Sequence, residues 1–352
     1  MLRYTRAVLV PMLLLPLLGC GGGPTEPPTE TPAPTDVHTV VVTVFEDENR
    51  NGRIDGDETL WVPDVDIEIG GKVGRSEKRN GRTTVTGVPR GTYTVSIRTS
   101  SLPPYYQAGA MPSISVPPAP DANIKIPVIL PIGNAMIAGY YFLSGDSISQ
   151  GEGSTSGLGI RPLLQERLLD HFGRGTVFYR GGGGGVTSEG AQRMDRDLDN
   201  IRPAYTVLNW GVNDFHELGC SNPAAATCLL VSNLKSMVTQ VRAFGSLPAL
   251  STIIPCNTSD PRCPAERNTW VRSVNDLIRN LARTERVLLV DTGDAFFKAP
   301  SLTSLFTDHV HPNDAGYTIM GDVYYAALTH GTLSASSAGA MSFGLAAPGA
   351  RQ

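Results

Sequence analysis

From about residue 135 onward, short apolar runs alternate with segments of helical periodicity. The apolar runs, which read as buried strands, are residues 136–143, 176–179, 205–210, 248–254 and 287–290. Apolar stripes with helical spacing lie between or after them, at residues 158–172, 270–282 and 315–328. Asn313 is a candidate N-cap for the last of these helices. Alternating strands and helices predict a parallel sheet covered on both faces, so residues 135–331 are expected to form an α/β domain.

The segment before this domain has a different pattern. A β-branched run at residues 37–45 is followed by strand-like stretches near 62–69, 113–116 and 124–130. The phrase GVPRGTYTVSI at residues 87–97 belongs to the same region. We therefore expect a small all-β sandwich over residues 37–131.

The first residues have the layout of a targeting segment. Arg3 and Arg6 precede an apolar run at residues 7–18, which is too short to span a bilayer. The run ends in Leu-Leu-Gly-Cys and so resembles a bacterial lipobox. This resemblance implies a signal peptide at residues 1–19, lipidation of Cys20 and export to a bacterial membrane, the outer membrane or cell surface in a Gram-negative host. An ordinary secretory signal is the alternative.

Two polar segments lie outside the expected domains. Residues 20–36 are dominated by Pro and Thr after the initial glycines, which predicts an extended tether. Residues 332–352 are rich in Ser, Ala and Gly and are expected to form a flexible tail. The net charge of −4 and the pI near 5.9 give no reason to expect nucleic acid as a partner.

Four cysteines remain once Cys20 is assigned to lipid. An even number in an exported chain favours two disulfides, for which three pairings exist. Proximity along the chain favours Cys220 with Cys228 and Cys256 with Cys263. A four-cysteine zinc site is the alternative, but the spacing of these residues does not match that of known zinc motifs.

The segment DENRNGRIDGDE fits the twelve-residue calcium-loop pattern. Side-chain or backbone oxygens at the ligand positions would come from Asp47, Asn49, Asn51, Arg53, Asp55 and Glu58. The flanking sequence is strand-like, and the region resembles B-type repeats of bacterial adhesins and carboxypeptidase-regulatory-like domains. That resemblance implies a structural Ca²⁺. The alternative is an acidic, solvated turn between strands.

Three short motifs carry candidate chemistry. Gly-Asp-Ser at residues 145–147 follows the first strand of the α/β domain, and Gly-Val-Asn-Asp at residues 211–214 follows the third. Asp-His-Val-His-Pro at residues 308–312 precedes the last helix. Because ligands of parallel sheets bind beyond the carboxyl ends of the strands, we expect these motifs to meet at one edge.

Taken together, the motifs resemble those of the GDSL/SGNH hydrolase family. The resemblance implies a three-layer α/β/α, flavodoxin-like fold with a parallel sheet. It also implies that Ser147 is the nucleophile and that Asp308 and His311 complete a triad. His309 is a rival base, but it lacks the following Pro.

The same resemblance implies an oxyanion hole. Its donors would be the Ser147 backbone N–H, a glycine N–H and Asn213. Matching Gly-Val-Thr-Ser at residues 185–188 to the glycine motif of the family selects Gly185, but five glycines at residues 181–185 leave the register open. A flexible loop without an assigned donor is the alternative for this run.

The residue chemistry agrees with ester hydrolysis. A serine hydroxyl needs a base to take its proton, an imidazole can act near neutral pH, and a carboxylate can orient that imidazole. We expect an ester substrate, in particular acetylated polysaccharide, and no catalytic cofactor. The alternatives are a lipid acyl hydrolase, a lysophospholipase or a thioesterase. From a different class, the chain could be a calcium-dependent surface-binding lipoprotein with an inactive hydrolase domain.

Overall fold

The protein is described from a computed structural model. It describes residues 36–56, 58 and 60–333. The expected signal peptide, Cys20, almost all of the tether and the tail from residue 334 lie outside the described residues. Within the described part, no helix has both the length and the apolar character needed to cross a membrane.

The first part of the described chain is built from β-strands. In chain order these are β1 (Val37–Glu46), β2 (Asp66–Ile69), β3 (Lys72–Arg75), β4 (Arg82–Pro89), β5 (Gly91–Thr94), β6 (Ser96–Ile97), β7 (Gln107–Ala108), β8 (Ser113–Val116) and β9 (Ile124–Ile129). The strands pair in the orders β4-β1-β9-β7, β3-β2-β6 and β5-β8. Apart from the parallel pair β1–β9, the pairings are antiparallel. A β-rich part was predicted and is observed.

The core of the β-rich part follows from alternation along its strands. Val40, Val42 and Val44 on β1 are at most 1% exposed, because every second side chain of a strand faces the same side. Ile67 and Ile69 on β2 are fully buried by the same rule. The apolar β-branched residues that predicted these strands therefore also form the core.

The second part alternates strands and helices. In chain order these are β10 (Ile137–Gly145), α1 (Ser147–Gln150), α2 (Arg161–Phe172), β11 (Thr176–Gly181), α3 (Thr187–Ile201), β12 (Pro203–Asn209), α4 (Leu230–Phe244), β13 (Leu247–Ser251), α5 (Arg267–Glu285), β14 (Leu288–Val290), α6 (Thr292–Lys298) and α7 (Asp314–His330). Asn313 caps α7 as predicted, because its side chain accepts the N–H groups of Ala315 and Gly316.

The five strands of this part form one parallel sheet in the order β11-β10-β12-β13-β14. Counted within the sheet, this is the order 2-1-3-4-5 of flavodoxin-like folds. The predicted fold class is confirmed. From β10 the chain adds β11 on one side and the remaining strands on the other. A crevice therefore opens beyond the carboxyl ends of β10 and β12.

The β-rich part packs against the opposite edge of this sheet. The Tyr105 hydroxyl donates to the Pro248 carbonyl at 2.6 Å and accepts the Leu288 N–H at 3.1 Å. The Tyr205 hydroxyl donates to the Pro104 carbonyl at 2.7 Å. Pro248, Leu288 and Tyr205 lie in the first half of their strands. The β-rich part therefore supports the amino ends of the strands and leaves their carboxyl ends accessible.

Candidate active site

Ser147 lies where β10 turns into α1. Asp146 is the N-cap of α1, and its carboxylate accepts the Ile148 N–H at 3.0 Å. Gly145 permits the tight approach to β12, because a Cβ there would lie 2.6 Å from the Asn209 carbonyl oxygen. The turn places the Ser147 side chain, which belongs to a residue only 5% exposed, at the crevice.

Ser147, His311 and Asp308 form a continuous chain of hydrogen bonds. The Ser147 hydroxyl lies 2.9 Å from Nε2 of His311. Nδ1 of His311 lies 2.9 Å from a carboxylate oxygen of Asp308. The structure thus brings together three residues that are separated by up to 164 positions in the sequence. This is the geometry in which a base can remove the serine proton.

The carboxylate of Asp308 is held in its charged form. Burial alone would raise its pKa, but bonds from the backbone and side chain of His311 and from the Val310 backbone outweigh this, so the pKa falls to about 2. The Val310 and His311 N–H groups donate to Oδ1 at 2.9 and 2.8 Å. Oδ2 is left to face the imidazole, so the carboxylate can orient His311 and stabilise its protonated form.

His309, the rival base, lies on the other side of this carboxylate. Its Nδ1 is 3.8 Å from Oδ1 of Asp308, whereas Nε2 of His311 occupies the position beside the Ser147 hydroxyl. Burial lowers the pKa of His309. The geometry therefore favours His311 as the base.

Glu152 lies at the mouth of the site and was not singled out from the sequence. Its carboxylate is 3.4 Å from Nε2 of His311, and its side chain is 56% exposed. The residue follows the nucleophile by five positions, in the turn after α1. A carboxylate here adds negative charge where a substrate must enter.

Asn213 and Gly185 lie side by side near the end of β12. Nδ2 of Asn213 donates to the Gly185 carbonyl at 3.0 Å. The Gly185 N–H donates to the Gly182 carbonyl at 3.1 Å, within the glycine run. A Cβ on Gly185 would lie 3.0 Å from both the Gly182 oxygen and the Trp210 ring, so this position has little room for a side chain.

Asp214 fixes the position of the glycine run relative to Asn213. Its carboxylate accepts the Thr187 N–H at 3.0 Å and also accepts the Thr187 hydroxyl. Burial raises the pKa of Asp214, and the bonds from Thr187 oppose that shift. Because Thr187 is the first residue of α3, this contact anchors the start of the helix beside the Asn213 turn.

Arg267 supports the turn that carries Asn213, and it was also missed in the sequence. Its guanidinium donates to the Val212 carbonyl at 2.5 Å and lies 3.1 Å from Nε2 of His216. It also lies 4.6 Å from the centre of the Phe215 ring, a cation–π contact. Burial lowers the pKa of Arg267 to about 10, which leaves it charged at neutral pH. A single arginine 55 residues after Val212 carries no motif that could have identified it.

Both predicted disulfides are formed, Cys220 with Cys228 and Cys256 with Cys263. The second closes a loop that contacts residues 308–311, the segment that carries Asp308 and His311 and is called the acid–base segment below. The Asn257 N–H donates to the His309 carbonyl at 2.8 Å, and its side-chain amide donates to the Asp308 carbonyl at 3.2 Å. This disulfide loop therefore buttresses the backbone that carries the triad carboxylate.

The calcium-loop residues lie in one turn between β1 and β2. The buried carboxylates of Asp47 and Glu58 accept backbone N–H groups of the loop, as an ordered ligand loop requires. The side-chain amides of Asn49 and Asn51 both contact the Asp55 carboxylate at 2.6 Å. The donor set offers oxygen atoms, which suits Ca²⁺. Arg53 follows in the same turn, and its N–H bonds to Asn51 at 2.7 Å.

Comparison with known proteins identifies the α/β part. A sequence profile described as the GDSL-like Lipase/Acylhydrolase family matches residues 143–319. That segment contains Ser147, Gly185, Asn213, Asp308 and His311. A search of curated proteins found no match.

Several solved structures resemble about half of the chain. A GDSL-like lipase from Bacteroides thetaiotaomicron is 20% identical, with a TM-score of 0.42, over 54% of this chain and 87% of that one. A lipase/acylhydrolase from Enterococcus faecalis is 16% identical, with a TM-score of 0.46, over 56% and 99%. A variant of an acetyl xylan esterase from Geobacillus stearothermophilus is 19% identical, with a TM-score of 0.45, over 55% and 95%.

Proposed function

Because this chain belongs to the GDSL-like lipase/acylhydrolase family, we propose that it hydrolyses carboxylic esters with Ser147 as the nucleophile. The observation that carries the proposal is the pair of 2.9 Å hydrogen bonds linking Ser147, His311 and Asp308. His311 removes the serine proton as the hydroxyl attacks the ester carbonyl, and it returns that proton to the leaving alcohol. Water then releases the acyl group from Ser147 by the same proton transfers in reverse.

The negative oxygen of the tetrahedral intermediate requires hydrogen-bond donors. We assign this role to the Ser147 backbone N–H, the Gly185 N–H and the Asn213 amide. One N–H of Asn213 is bonded to the Gly185 carbonyl, and the amide has a second N–H for the substrate. Gly185 would exchange its bond to Gly182 for one to the substrate oxygen. The contacts of Asp214 and Arg267 hold these donors in register.

We propose that the acyl group is short, as in acetylated carbohydrate. The support is the family match together with the similarity to a variant of an acetyl xylan esterase. The exposed carboxylate of Glu152 gives the entrance a polar character that suits a hydroxylated alcohol.

We propose that the enzyme acts outside the cytoplasm, anchored through lipidated Cys20. The support is the sequence before residue 36, and the disulfides are consistent with an oxidising compartment. We also propose that Ca²⁺ bound by the Asp47–Glu58 loop stabilises the β-rich part. The support is the ligand order of the loop and the buried acidic side chains at its two ends.

A fluorophosphonate probe tests the catalytic assignment. We expect covalent labelling of the native chain and none of Ser147→Ala, with turnover of p-nitrophenyl acetate reduced at least about 10³-fold in that variant. Ser156→Ala is the matched control. Ser156 is exposed in the loop between α1 and α2, so this substitution should leave both readouts unchanged. Labelling that persists in Ser147→Ala would contradict the assignment. A folded native chain with no labelling and no turnover would favour the surface-binding alternative.

Two further measurements separate the remaining alternatives. His311→Asn should abolish turnover, whereas His309→Asn should retain most of it. The reverse result would make His309 the base. Turnover should fall as the acyl chain of the p-nitrophenyl ester grows, and acetylated xylan should release acetate. Preference for long acyl chains or thioesters would overturn the substrate proposal while leaving the nucleophile intact.

A further inference from the structure

Three potential metal ligands converge where the β-rich part meets the ends of two helices. Asp64 comes from the loop before β2, His171 from the last turn of α2 and His330 from the last residue of α7. One ligand atom of each lies within 4.8 Å of those of the other two. Among the described residues, this is the one set of three His, Cys, Asp or Glu side chains that meets this criterion. The three residues lie so far apart in the chain that no sequence motif indicates the cluster.

The imidazole of His171 has an unused ligand atom. The residue is 1% exposed, and its Nε2 has no hydrogen-bond partner in the described structure. Nδ1 lies 3.1 Å from the Tyr325 hydroxyl. When Nδ1 of the neutral ring donates to Tyr325, Nε2 carries a lone pair.

The hydrogen bonds around His330 define its tautomer. The Thr329 hydroxyl donates to the Tyr325 carbonyl at 2.7 Å, so its oxygen can accept Nδ1–H of His330, also at 2.7 Å. A neutral His330 then has its lone pair at Nε2, which lies 3.2 Å from Oδ2 of Asp64. Two electron pairs at this separation need a proton or a cation between them. Ligands of a tetrahedral Zn²⁺ lie about 3.3 Å apart, given bond lengths of about 2.0–2.1 Å.

The surrounding charges are mixed. Arg75 contacts Asp64 at 3.5 Å, but it is also paired with Asp66 at 2.9 Å. Lys78 lies 3.4 Å from the Tyr325 hydroxyl. These cations are opposed by the Asp64 carboxylate and by the carboxyl ends of α2 and α7, where helix dipoles favour positive charge. Arg79 is neutralised by its ion pair with Asp170.

We propose that Asp64, His171 and His330 bind a Zn²⁺ ion that joins the β-rich part to the α/β part. Two neutral imidazoles and one carboxylate form a donor set that suits Zn²⁺, with water as the fourth ligand. A cavity of about 480 Å³ lined in part by Arg75 and His330 gives solvent access to that position. Tyr325 and Thr329 orient the two imidazoles through their Nδ1 atoms, as partners of metal-bound histidines do. The site lies at the amino ends of the strands, away from Ser147, so the ion would take no part in the reaction at that serine.

Calorimetric titration of the metal-free full chain with Zn²⁺, in the presence of saturating Ca²⁺, tests this proposal. We expect one Zn²⁺ per chain and a higher melting temperature. His330→Ala and Asp64→Asn should each weaken Zn²⁺ affinity at least about 100-fold, because each removes a ligand from a three-residue site. Tyr325→Phe should weaken it about 10-fold, because it removes the partner of His171. His216→Ala is the matched control and should leave Zn²⁺ affinity unchanged.

His330 and Asp64 are partly exposed, so their variants should fold and can report on Zn²⁺ affinity. His330 has a 47% exposed side chain, so its alanine variant should fold even if His171→Ala does not. Absence of Zn²⁺ binding by the folded native chain would overturn the proposal. Stoichiometric binding that survives in both His330→Ala and Asp64→Asn would place the ion elsewhere and overturn it equally. Turnover of an acetyl ester by His330→Ala and Asp64→Asn should remain unchanged, which separates this result from the catalytic proposal.

Discussion

The catalytic residues and the β-rich part lie at opposite ends of the strands of the parallel sheet. Ser147 and Asn213 follow the carboxyl ends of β10 and β12, and their polar groups face a crevice. At the amino ends, the Tyr105 hydroxyl donates to the Pro248 carbonyl of β13, and the Tyr205 hydroxyl of β12 donates to the Pro104 carbonyl of the β-rich part. The contrast suggests a separation of tasks. Changes at the crevice should alter rate, and changes at the far edge should alter stability.

Asn213→Ala should produce the largest effect on turnover after loss of a triad residue. Loss of one oxyanion donor lowers kcat by about 10²–10³-fold, with little change in KM, because the interaction forms fully only in the transition state. Steady-state kinetics on p-nitrophenyl acetate measures both constants. The control is Asn222→Ala, at an exposed position in the following loop. A loss confined to KM would remove Asn213 from the oxyanion hole and weaken the comparison at its catalytic end.

Asp146→Asn probes stability at the catalytic edge. Burial, reinforced by the charge of Asp214, raises the pKa of Asp146 from 3.8 to about 7 in the folded protein. The folded state therefore binds a proton that the unfolded state has lost between these pH values. The stabilising contribution is complete below pH 3.8 and declines as the pH rises towards 7. The native chain should lose on the order of 3 kcal/mol across this range from this group.

Urea unfolding at a series of pH values measures this effect. Asp146→Asn should flatten the decline while keeping the cap on Ile148, since asparagine also accepts a hydrogen bond at an N-cap. Asp195→Asn, at an exposed position on α3, is the control. An unchanged slope in Asp146→Asn would show that this carboxyl group does not take up a proton on folding. The result would sharpen the comparison, because it measures an energetic cost at the catalytic edge.

Calcium should produce the smallest effect, and one confined to stability. At a free concentration about 100 times Kd, a bound ion stabilises the folded chain by about 2.7 kcal/mol, or roughly 5 °C in melting temperature. Melting curves of metal-free protein at rising Ca²⁺ should show this shift, and Glu58→Gln should greatly reduce it. Turnover should remain constant, because the loop lies away from the crevice. A fall in turnover without Ca²⁺ would break the proposed separation of tasks.

The sequence predicted the catalytic edge better than the far edge. Strands β10 and β12 are apolar runs that end in short polar motifs, so both the elements and the order of the motifs could be recognised. The helix α3 was missed, although Met194, Leu198 and Ile201 form its buried stripe. It begins just after five glycines, which carry no helical pattern and give no signal for the first residue of the helix. The same run explains why the glycine register could not be fixed from the sequence.

Residues that act through tertiary contacts left little signal. Arg267 supports the Asn213 turn from another helix, and Glu152 reaches His311 from a turn without a distinctive pattern. The cluster of Asp64, His171 and His330 depends on how two separately patterned parts of the chain pack. Periodicity describes each element by itself, whereas these contacts depend on the final arrangement of elements.

The contact between the Cys256–Cys263 loop and the triad segment has a consequence for when activity begins. Asn257, inside that loop, bonds to the carbonyls of both Asp308 and His309. In a reducing cytoplasm the loop would stay open, and the acid–base segment would lack this brace. Under the proposed export, the covalent closure that holds this brace would form only after the chain has left the cytoplasm.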